Sequence, residues 1–469
     1  MQVPELAQAV GDLFDHVLVD EYQDTNALQA SILLGLKPDG AGLTVVGDDA
    51  QAIYGFRAAS VRNILDFPTL FNPPATVVTL EQNYRSTQAI LAAANAVIAQ
   101  APERFTKTLF SDRVGSTYPD LISVEDDAAQ AACIATSVLR NREAGIALKD
   151  QVVLFRAANH SAQLEIELAR RNIPFVKHGG QKFIEAAHIK DVLAVLRWTE
   201  NPADRVSGFR VLKMLDGIGP TTAGKVLDSM YGRDPCDALA AFRVPAQARA
   251  DWEDLVQLMR DLRGQQQAWP AAYDRVRAWY QPRLERRHAD APVRAADLDQ
   301  LGHIAAGYPT RAKFLTDLTL DPPNGSSGDA GPAVRAEDYL TLSTIHSAKG
   351  QEWTAVFILN VVEGCIPFSR SSDTSEYLAE ELRLLYVAMT RAKDQLSLIV
   401  PCLLYVHQHG RRGDSRGYAT RSRFLPADIL DAFQHHSWFS AQSISSGPPP
   451  SGVAVDVGSH LRDRWRAGG

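Results

Sequence analysis

The sequence predicts an α/β protein built on parallel β-sheets, with an all-helical segment inserted into its second half. Short apolar runs alternate with helical patterns near the amino end and again from about residue 120. Strands that alternate with helices in this way are typical of parallel sheets. From about residue 201 to residue 318 the pattern becomes helical only, which indicates an insert. A chain of 469 residues has room for two or three domains.

The composition is that of an ordinary globular chain, with 45% hydrophobic and 22% charged residues. A net charge of −7 argues against a uniformly basic surface, so any contact with nucleic acid must use local patches. The four cysteines lack CxxC spacing, which predicts reduced thiols and no zinc site. No apolar run reaches membrane-spanning length and no signal peptide is evident, so we expect a cytoplasmic protein.

Acidic side chains follow two predicted strands near the amino end. The run Val17-Leu18-Val19 stops at Asp20 and Glu21, and the run from Leu43 to Val46 stops at Gly47-Asp48-Asp49. Ligands of open α/β sheets bind at the carboxyl ends of strands, where an Asp can hold Mg²⁺ and a Glu can orient water. The alternative for Asp20 and Glu21 alone is a cap for the helix that follows.

Five long sequence blocks resemble, in order, motifs II to VI of the UvrD/Rep family of superfamily 1 DNA helicases. The blocks are DEYQD, VGDDAQAIYGFRAA, LEQNYRST, STIHSAKGQEW and EELRLLYVAMTRAK, and the resemblance covers nearly everything from Val17 to Lys393. It implies P-loop NTPase (RecA-like) parallel sheets, one partial and one complete, with an all-helical 2B-like insert. The family's first motif, a phosphate loop (Walker A), is not found ahead of the DEYQD block.

The resemblance also implies a division of the chain into segments. Residues 1–75 correspond to the carboxyl-terminal part of the first RecA-like domain (1A), and 76–200 to the first part of the second domain (2A). Residues 201–335 form the helical insert with a linker at 321–333, 336–425 complete the second domain, and 426–469 form a mostly disordered tail. Within this division we expect a strand at 76–80 and the last strand of the second sheet at 394–400.

The resemblance implies ATP and Mg²⁺ as cofactors and assigns a role to each matching residue. Asp20 holds Mg²⁺, Glu21 activates water, Gln51 senses the γ-phosphate, and Arg85 and Arg391 stabilise its charge in the transition state. Tyr84 contacts the nucleotide base and Glu352 contacts the ribose. The alternatives are ordinary structural roles: a surface ion pair for Arg85 and a helix-terminal cation for Arg391.

A second group of residues is expected to contact DNA. Tyr54 and Phe56 resemble aromatics that stack on single-stranded bases. Core packing is the alternative for both aromatics, and for Tyr54 the choice stays open. Arg57 can contact DNA or nucleotide, or lie on a solvated face. His346 and Ser347 follow a strand and suit approach to phosphate or to the DNA backbone. Gly217 and Gly219 resemble the family's glycine hairpin for duplex phosphate, with an ordinary helix C-cap equally compatible.

The stretch from Gly219 to Lys225 matches the GxxxxGK pattern of a phosphate loop, but we reject it as one. Val226 stands where a Ser or Thr should hold Mg²⁺, and residues 209–215 have a helical pattern where the loop requires a strand. Pro220 also lacks an amide that such a loop needs.

The resemblance therefore implies an ATP-dependent 3′-to-5′ DNA helicase or translocase that acts on single-stranded DNA and on single-strand/duplex junctions, in repair or replication. Without a phosphate loop the chain should hydrolyse ATP poorly alone. A split helicase whose other half is a separate polypeptide, a truncated gene and a degenerate paralogue all fit this pattern. The alternative function is a non-catalytic helicase-like module that binds DNA or protein.

Overall fold

The computed structural model describes residues 4–113, 115, 117–179, 182–263, 269–318, 338–368, 374–405 and 416–438. The predicted linker at 321–333 lies outside these residues, as does the part of the predicted tail beyond residue 438. None of the described helices is both long and apolar enough to cross a membrane.

The amino-terminal part forms a small parallel sheet of two strands, β1 (Val17–Val19) and β2 (Leu43–Val45). Helix α1 (Pro4–Gly11) precedes the sheet, α2 (Ala27–Leu36) joins its strands, and α3 (Arg62–Asp66) follows. Helix α2 begins where the side chain of Asn26 accepts the Gln29 amide, in a capping box. One face of the sheet packs against Tyr22, Ile64 and Phe67, whereas Leu18 and Thr44 on its other face are exposed.

The large sheet contains seven strands, all pairs of which are parallel, in the order β11-β3-β8-β7-β4-β6-β5. Its strands are β3 (Asp120–Val124), β4 (Gln151–Phe155), β5 (Phe175–His178), β6 (Leu340–Thr344), β7 (Trp353–Ile358), β8 (Ala392–Pro401) and β11 (Gln434–Trp438). A small antiparallel pair, β9 (Leu403–Tyr405) and β10 (Arg416–Tyr418), lies between the last two.

Helices cover both faces of the large sheet, which explains why its central strands are apolar throughout. Val152 and Leu154 of β4 share a core with α4 (Gln88–Ile98) and α15 (Ser375–Met389). Val153 and Phe155 point the other way and share a core with α5 (Asp127–Glu143) and α6 (Ala162–Arg170). The alternation of side chains along a strand thus builds two cores from one sheet.

A helical region is inserted between β5 and β6, as the sequence predicts. Helix α7 (Ala187–Glu200) leads into it, and its core contains Trp198, Trp252 and Tyr273. The described residues between 201 and 318 contain no strand. The helices of the insert are α8 (Arg205–Leu212), α9 (Pro220–Ser229), α10 (Pro235–Ala241), α11 (Arg249–Arg263), α12 (Ala271–Arg287), α13 (Ala291–Ala306) and α14 (Arg311–Asp317).

The α/β class with one small and one large parallel sheet is confirmed, but two local predictions are wrong. Residues 76–80 form no strand, because no described residue pairs with their backbone. Strand β8 is internal, because β11 continues the sheet beyond β3. The predicted tail therefore begins with ordered structure, a 3₁₀ helix (Ala427–Ala432) and β11. The segment boundaries at 75, 200, 335 and 425 stay predictions.

Candidate functional site

The acidic pair lies where β1 ends, in a backbone conformation that is unusual for its residue type. Glu21 has a φ of 49°, in the left-handed region, and its N–H donates to Oδ1 of Asp20 at 2.8 Å. A non-glycine residue in this region costs free energy, and such residues cluster at functional sites. Both carboxylates are exposed at the carboxyl edge of the small sheet, where a ligand can reach them.

A chain of hydrogen bonds links the ends of the two strands of the small sheet. The buried Gln23 side chain donates to Glu21 Oε2, and its Oε1 accepts the Asp48 N–H at 3.0 Å. Asp48 in turn accepts from Ala50 N–H at 2.9 Å and from Nε2 of Gln51 at 2.8 Å. The predicted site residues Glu21 and Gln51 therefore belong to one network, which Gln23 and Asp48 hold together.

Arg391 brings the second half of the chain into this network. It follows α15, is only 1% exposed, and donates from Nη2 to Oε1 of Gln51 at 3.3 Å. Its Nε and Nη1 atoms donate to the carbonyl oxygens of Val387 and Gln351 at 3.1 and 3.2 Å, which fixes the guanidinium. Burial, and next the positive charge of Arg85, lower the pKa of Arg391 to about 10. The charges of Arg85 and Arg391 together favour an anionic ligand near them.

Arg85 is held by an Asn side chain and at present pairs with Glu352. Oδ1 of Asn83 accepts the N–H groups of Arg85 and Ser86 at 2.9 and 2.8 Å. Glu352 accepts from Nε of Arg85 and from Nζ of Lys393 at 2.9 Å. The hydrogen bonds from Lys393 and Arg85 lower the pKa of the Glu352 carboxyl to about 2. Arg85 and Glu352 are thus neighbours, and nearby Tyr84 is exposed.

Lys349 is a functional candidate that the sequence interpretation did not single out. It follows β6 and donates to both carboxylate oxygens of Asp24, at 2.7 and 2.6 Å, and to the Gln51 carbonyl oxygen at 2.9 Å. It also lies 3.6 Å from Oε2 of Glu21. A lysine within a small, polar stretch after a strand was the only sequence signal for it.

The expected DNA-contacting aromatics form a partly exposed cluster beside this network. Phe56 lies on a 3₁₀ turn (Gly55–Arg57), is 62% exposed, and makes edge-to-face contacts with Tyr54 and His346 at ring-centroid distances of 5.9 and 5.4 Å. The Arg57 guanidinium lies 5.3 Å from the Tyr54 ring centroid. Core packing is excluded for Phe56, because most of its side chain is exposed.

Ser347 lies on the same loop as His346 and is exposed, with its Oγ accepting from the Thr344 hydroxyl at 2.9 Å. Gly217 and Gly219 lie elsewhere, in the turn between α8 and α9 of the insert. Gly217 has a φ of +82°, and an added Cβ on Gly219 would meet no atom within 4 Å. Because α8 is a helix and precedes this turn, the rejection of residues 219–225 as a phosphate loop holds.

The carboxylate chemistry at the end of β1 fits Mg²⁺. Mg²⁺ prefers oxygen ligands and is usually held by one or two carboxylates together with water and phosphate oxygens. Asp20 offers one exposed carboxylate. The described residues contain no group of three or more His, Cys, Asp or Glu side chains that could hold an ion. Water and phosphate oxygens would supply the other ligands that Mg²⁺ usually keeps.

A parallel α/β fold in which a buried arginine reaches the network at the acidic strand ends, next to an exposed aromatic turn, is consistent with a RecA-like fold. Comparisons with known proteins agree. The sequence pattern of the UvrD-like helicase C-terminal domain matches residues 78–239 and 310–401, and that of the UvrD/REP helicase N-terminal domain matches residues 1–72. The chain belongs to the UvrD-like helicase family, since the first of these patterns alone covers more than half of it.

Two relatives illustrate the similarity. The chain is 31% identical to the ATP-dependent DNA helicase PcrA of Staphylococcus epidermidis over 481 residues, which cover 96% of this chain and 63% of the relative. It is 30% identical to the ATP-dependent DNA helicase PcrA of Staphylococcus aureus over 476 residues, which cover 96% and 62% respectively. The chain thus spans somewhat less than two thirds of the length of these relatives.

Proposed function

We propose that this chain is part of an ATP-dependent 3′-to-5′ DNA helicase or translocase with a cytoplasmic location. It acts on single-stranded DNA and on single-strand/duplex junctions. The observation that carries the proposal is the contact between Arg391 and Gln51. It joins residues 340 positions apart and places Arg391 beside the carboxylate network at the strand ends, where a cation can neutralise charge in phosphoryl transfer from ATP.

The residues divide the chemistry between them. Glu21 orients the attacking water and accepts its proton, Gln51 contacts the γ-phosphate, and Arg85 and Arg391 neutralise the charge that develops there. Glu352, the neighbour of Arg85, contacts the ribose, and the exposed Tyr84 contacts the base. Asp20 would hold Mg²⁺, which neutralises phosphate charge when bound.

The aromatic cluster supplies the contact with DNA. Phe56 can stack on successive bases of any sequence, and Tyr54, Arg57, His346 and Ser347 surround it. The turn with Gly217 and Gly219, where Gly217 is exposed, contacts duplex phosphate through its glycine amides. Because Gln51 and Phe56 are close in sequence, a change at the nucleotide can shift the base-stacking turn.

The phosphate loop would come from polypeptide outside these 469 residues, whether joined to them or separate. The uncovered face of the small sheet supports this, because parallel sheets are normally covered on both faces and two strands alone are marginal. Leu18 on that face is 77% exposed, and Val78 in the unpaired segment 76–80 is 78% exposed. A strand-and-helix segment with a phosphate loop would cover both.

The first experiment measures DNA-stimulated ATP hydrolysis by the purified chain, beside a Glu21→Gln control, with and without a family fragment that contains a phosphate loop. Hydrolysis that requires the fragment and Glu21 supports the proposal. Unwinding of duplexes with a 3′ tail, and not of those with a 5′ tail, supports the direction. DNA binding without hydrolysis under any of these conditions would overturn the proposal and favour a non-catalytic helicase-like module.

The same assay tests where the fragment docks. Val78→Asp should abolish the increase in ATP hydrolysis that the fragment produces, because a charge on an apolar docking face opposes its burial. Val293→Asp is the matched control, since Val293 is similarly exposed but lies in the insert. An equal gain in both variants would contradict docking at this face.

A further inference from the structure

Helix α15 and the residue Arg391 that follows it contact two residues of the amino-terminal part, Gln51 and Gly55, which are close together in sequence. Near its end, Arg391 donates to Gln51. Near its start, Oε1 of Glu380 accepts the Gly55 N–H at 2.9 Å. Glu380 and Arg391 are separated by roughly 16 Å along the helix axis, at the rise of an α-helix. One rigid element therefore meets both the γ-phosphate candidate and the turn that carries Phe56.

The contact between Glu380 and Gly55 depends on the absence of a side chain at position 55. A Cβ atom added to Gly55 would overlap the Glu380 carboxylate. The φ of Gly55 is not in the left-handed region, so close approach of the carboxylate accounts for glycine at this position. Between the two contacts, Ala50 and Ile53 are buried in the same core as Leu384 and Tyr386 of α15.

The neighbouring carboxylate anchors α15 to the large sheet. Glu381 accepts from Nε and Nη2 of Arg156, which follows β4, at 2.9 and 2.7 Å, and also from the Phe368 N–H at 3.0 Å. Consecutive carboxylates thus hold opposite partners, one in the large sheet and one in the aromatic turn. Glu381 thus has a structural role in the large sheet. Glu380 has no role in the proposed ATP chemistry or in base stacking.

We propose that Glu380 is a positioning residue that ties the Phe56 turn to α15, so that movement of α15 at the nucleotide also moves the base-stacking turn. This inference rests on the proposed function, because it assumes that Phe56 stacks on DNA. Glu380 itself touches neither nucleotide nor DNA. It acts through the Gly55 amide, which sets the orientation of the turn and with it the Phe56 ring.

The first test is hydrogen exchange of the full chain, followed by mass spectrometry of peptides that cover residues 52–58. Glu380→Ala should speed exchange there by about tenfold or more, because a charged acceptor is lost. Glu380→Gln keeps an acceptor oxygen and should stay near the wild type. Glu376→Ala is the matched control, because Glu376 is exposed on the same helix. Equal exchange in Glu380→Ala and Glu376→Ala would overturn the proposal.

The second test is the affinity for a fluorescent oligothymidylate of roughly 16 nucleotides. Glu380→Ala should weaken binding by about tenfold, the scale of one lost base stack. Gly55→Ala should do the same from the other side of the contact, and Glu380→Gln should restore most of the affinity. In a Phe56→Ala background, Glu380→Ala should weaken oligonucleotide binding little further, because both changes remove the same stacking interaction.

Additive losses in that double variant would overturn the positioning role, since a merely structural defect would not depend on Phe56. If the wild-type chain fails to bind the oligonucleotide, the proposed function fails. The exchange measurement still decides in that case whether Glu380 holds the turn.

Discussion

Lys349 donates hydrogen bonds to both carboxylate oxygens of Asp24, at 2.7 and 2.6 Å, across 325 positions of sequence. The lysine side chain is only 7% exposed, so the pair is largely shielded from water. Burial raises the pKa of Asp24, and the hydrogen bond and charge of Lys349 partly offset this. The pair thus joins the acidic end of the small sheet to the large sheet.

Lys349→Met should lower the free energy of unfolding by about 3 kcal/mol, because it leaves the Asp24 charge without its partner. Adding Asp24→Asn should recover most of the loss, since no unpaired charge then remains. Urea denaturation measures both. The exposed pair Arg205–Asp228 is the control, and Arg205→Ala should cost less than about 1 kcal/mol. Equal losses at the two pairs would contradict the structural role of Lys349.

Arg391→Lys should reduce the turnover of ATP by about a thousandfold or more, in the chain supplemented with a phosphate-loop fragment. A lysine keeps the charge but cannot reproduce the planar fork that contacts Gln51 and two carbonyl oxygens at once. Arg85→Lys should act in the same direction. Phosphate release in the presence of single-stranded DNA measures the effect. Turnover within twofold of the wild type would remove both arginines from the proposed chemistry.

Phe56→Ala should weaken binding of single-stranded DNA by about tenfold, because one base loses its stacking surface. Phe56→Trp should retain the affinity, since it presents a larger aromatic face. Thermal stability should change little in either variant, because the side chain is mostly exposed. Tyr231→Ala, at an exposed aromatic in the insert, is the control. Anisotropy titrations that give the same affinity for all three variants would contradict stacking at Phe56.

The stability of the fold should fall as the pH drops from about 6.5 towards 4, in part because of His346. Burial, and next the charges of Arg156 and Arg57, lower the pKa of this histidine from 6.5 to about 4. In that window the unfolded chain binds a proton that the folded chain does not, so acid favours unfolding.

Urea denaturation at several pH values gives the free energy of unfolding as a function of pH. Between about pH 6.5 and 4, this free energy should fall less steeply with decreasing pH in His346→Gln than in the wild type. Some slope remains in the variant, because burial also lowers the pKa of His160 to about 4. An unchanged slope in His346→Gln would show that His346 takes up its proton alike in the folded and unfolded chains.

The sequence was sufficient to predict the parallel α/β class, the helical insert and the two strand ends that carry Asp20, Glu21 and Asp48. Periodicity and burial of apolar runs are local properties, so they can be read along the chain. It was insufficient for strand pairing at the edges. Residues 76–80 have the composition of a strand but no strand partner among the residues that the structure describes, whereas the polar run from Gln434 to Trp438 pairs with β3.

The resemblance to the helicase family supplied candidate roles for Gln51, Arg85 and Arg391, but no sequence pattern indicated what each would contact. That Arg85 pairs with Glu352, that Lys349 reaches Asp24 and that Glu380 holds Gly55 are decided by the tertiary structure alone. The physical reason is that a side chain's partner depends on the path of the whole backbone. Residues hundreds of positions apart meet only when the sheets and α15 are packed together, and no local periodicity encodes that meeting.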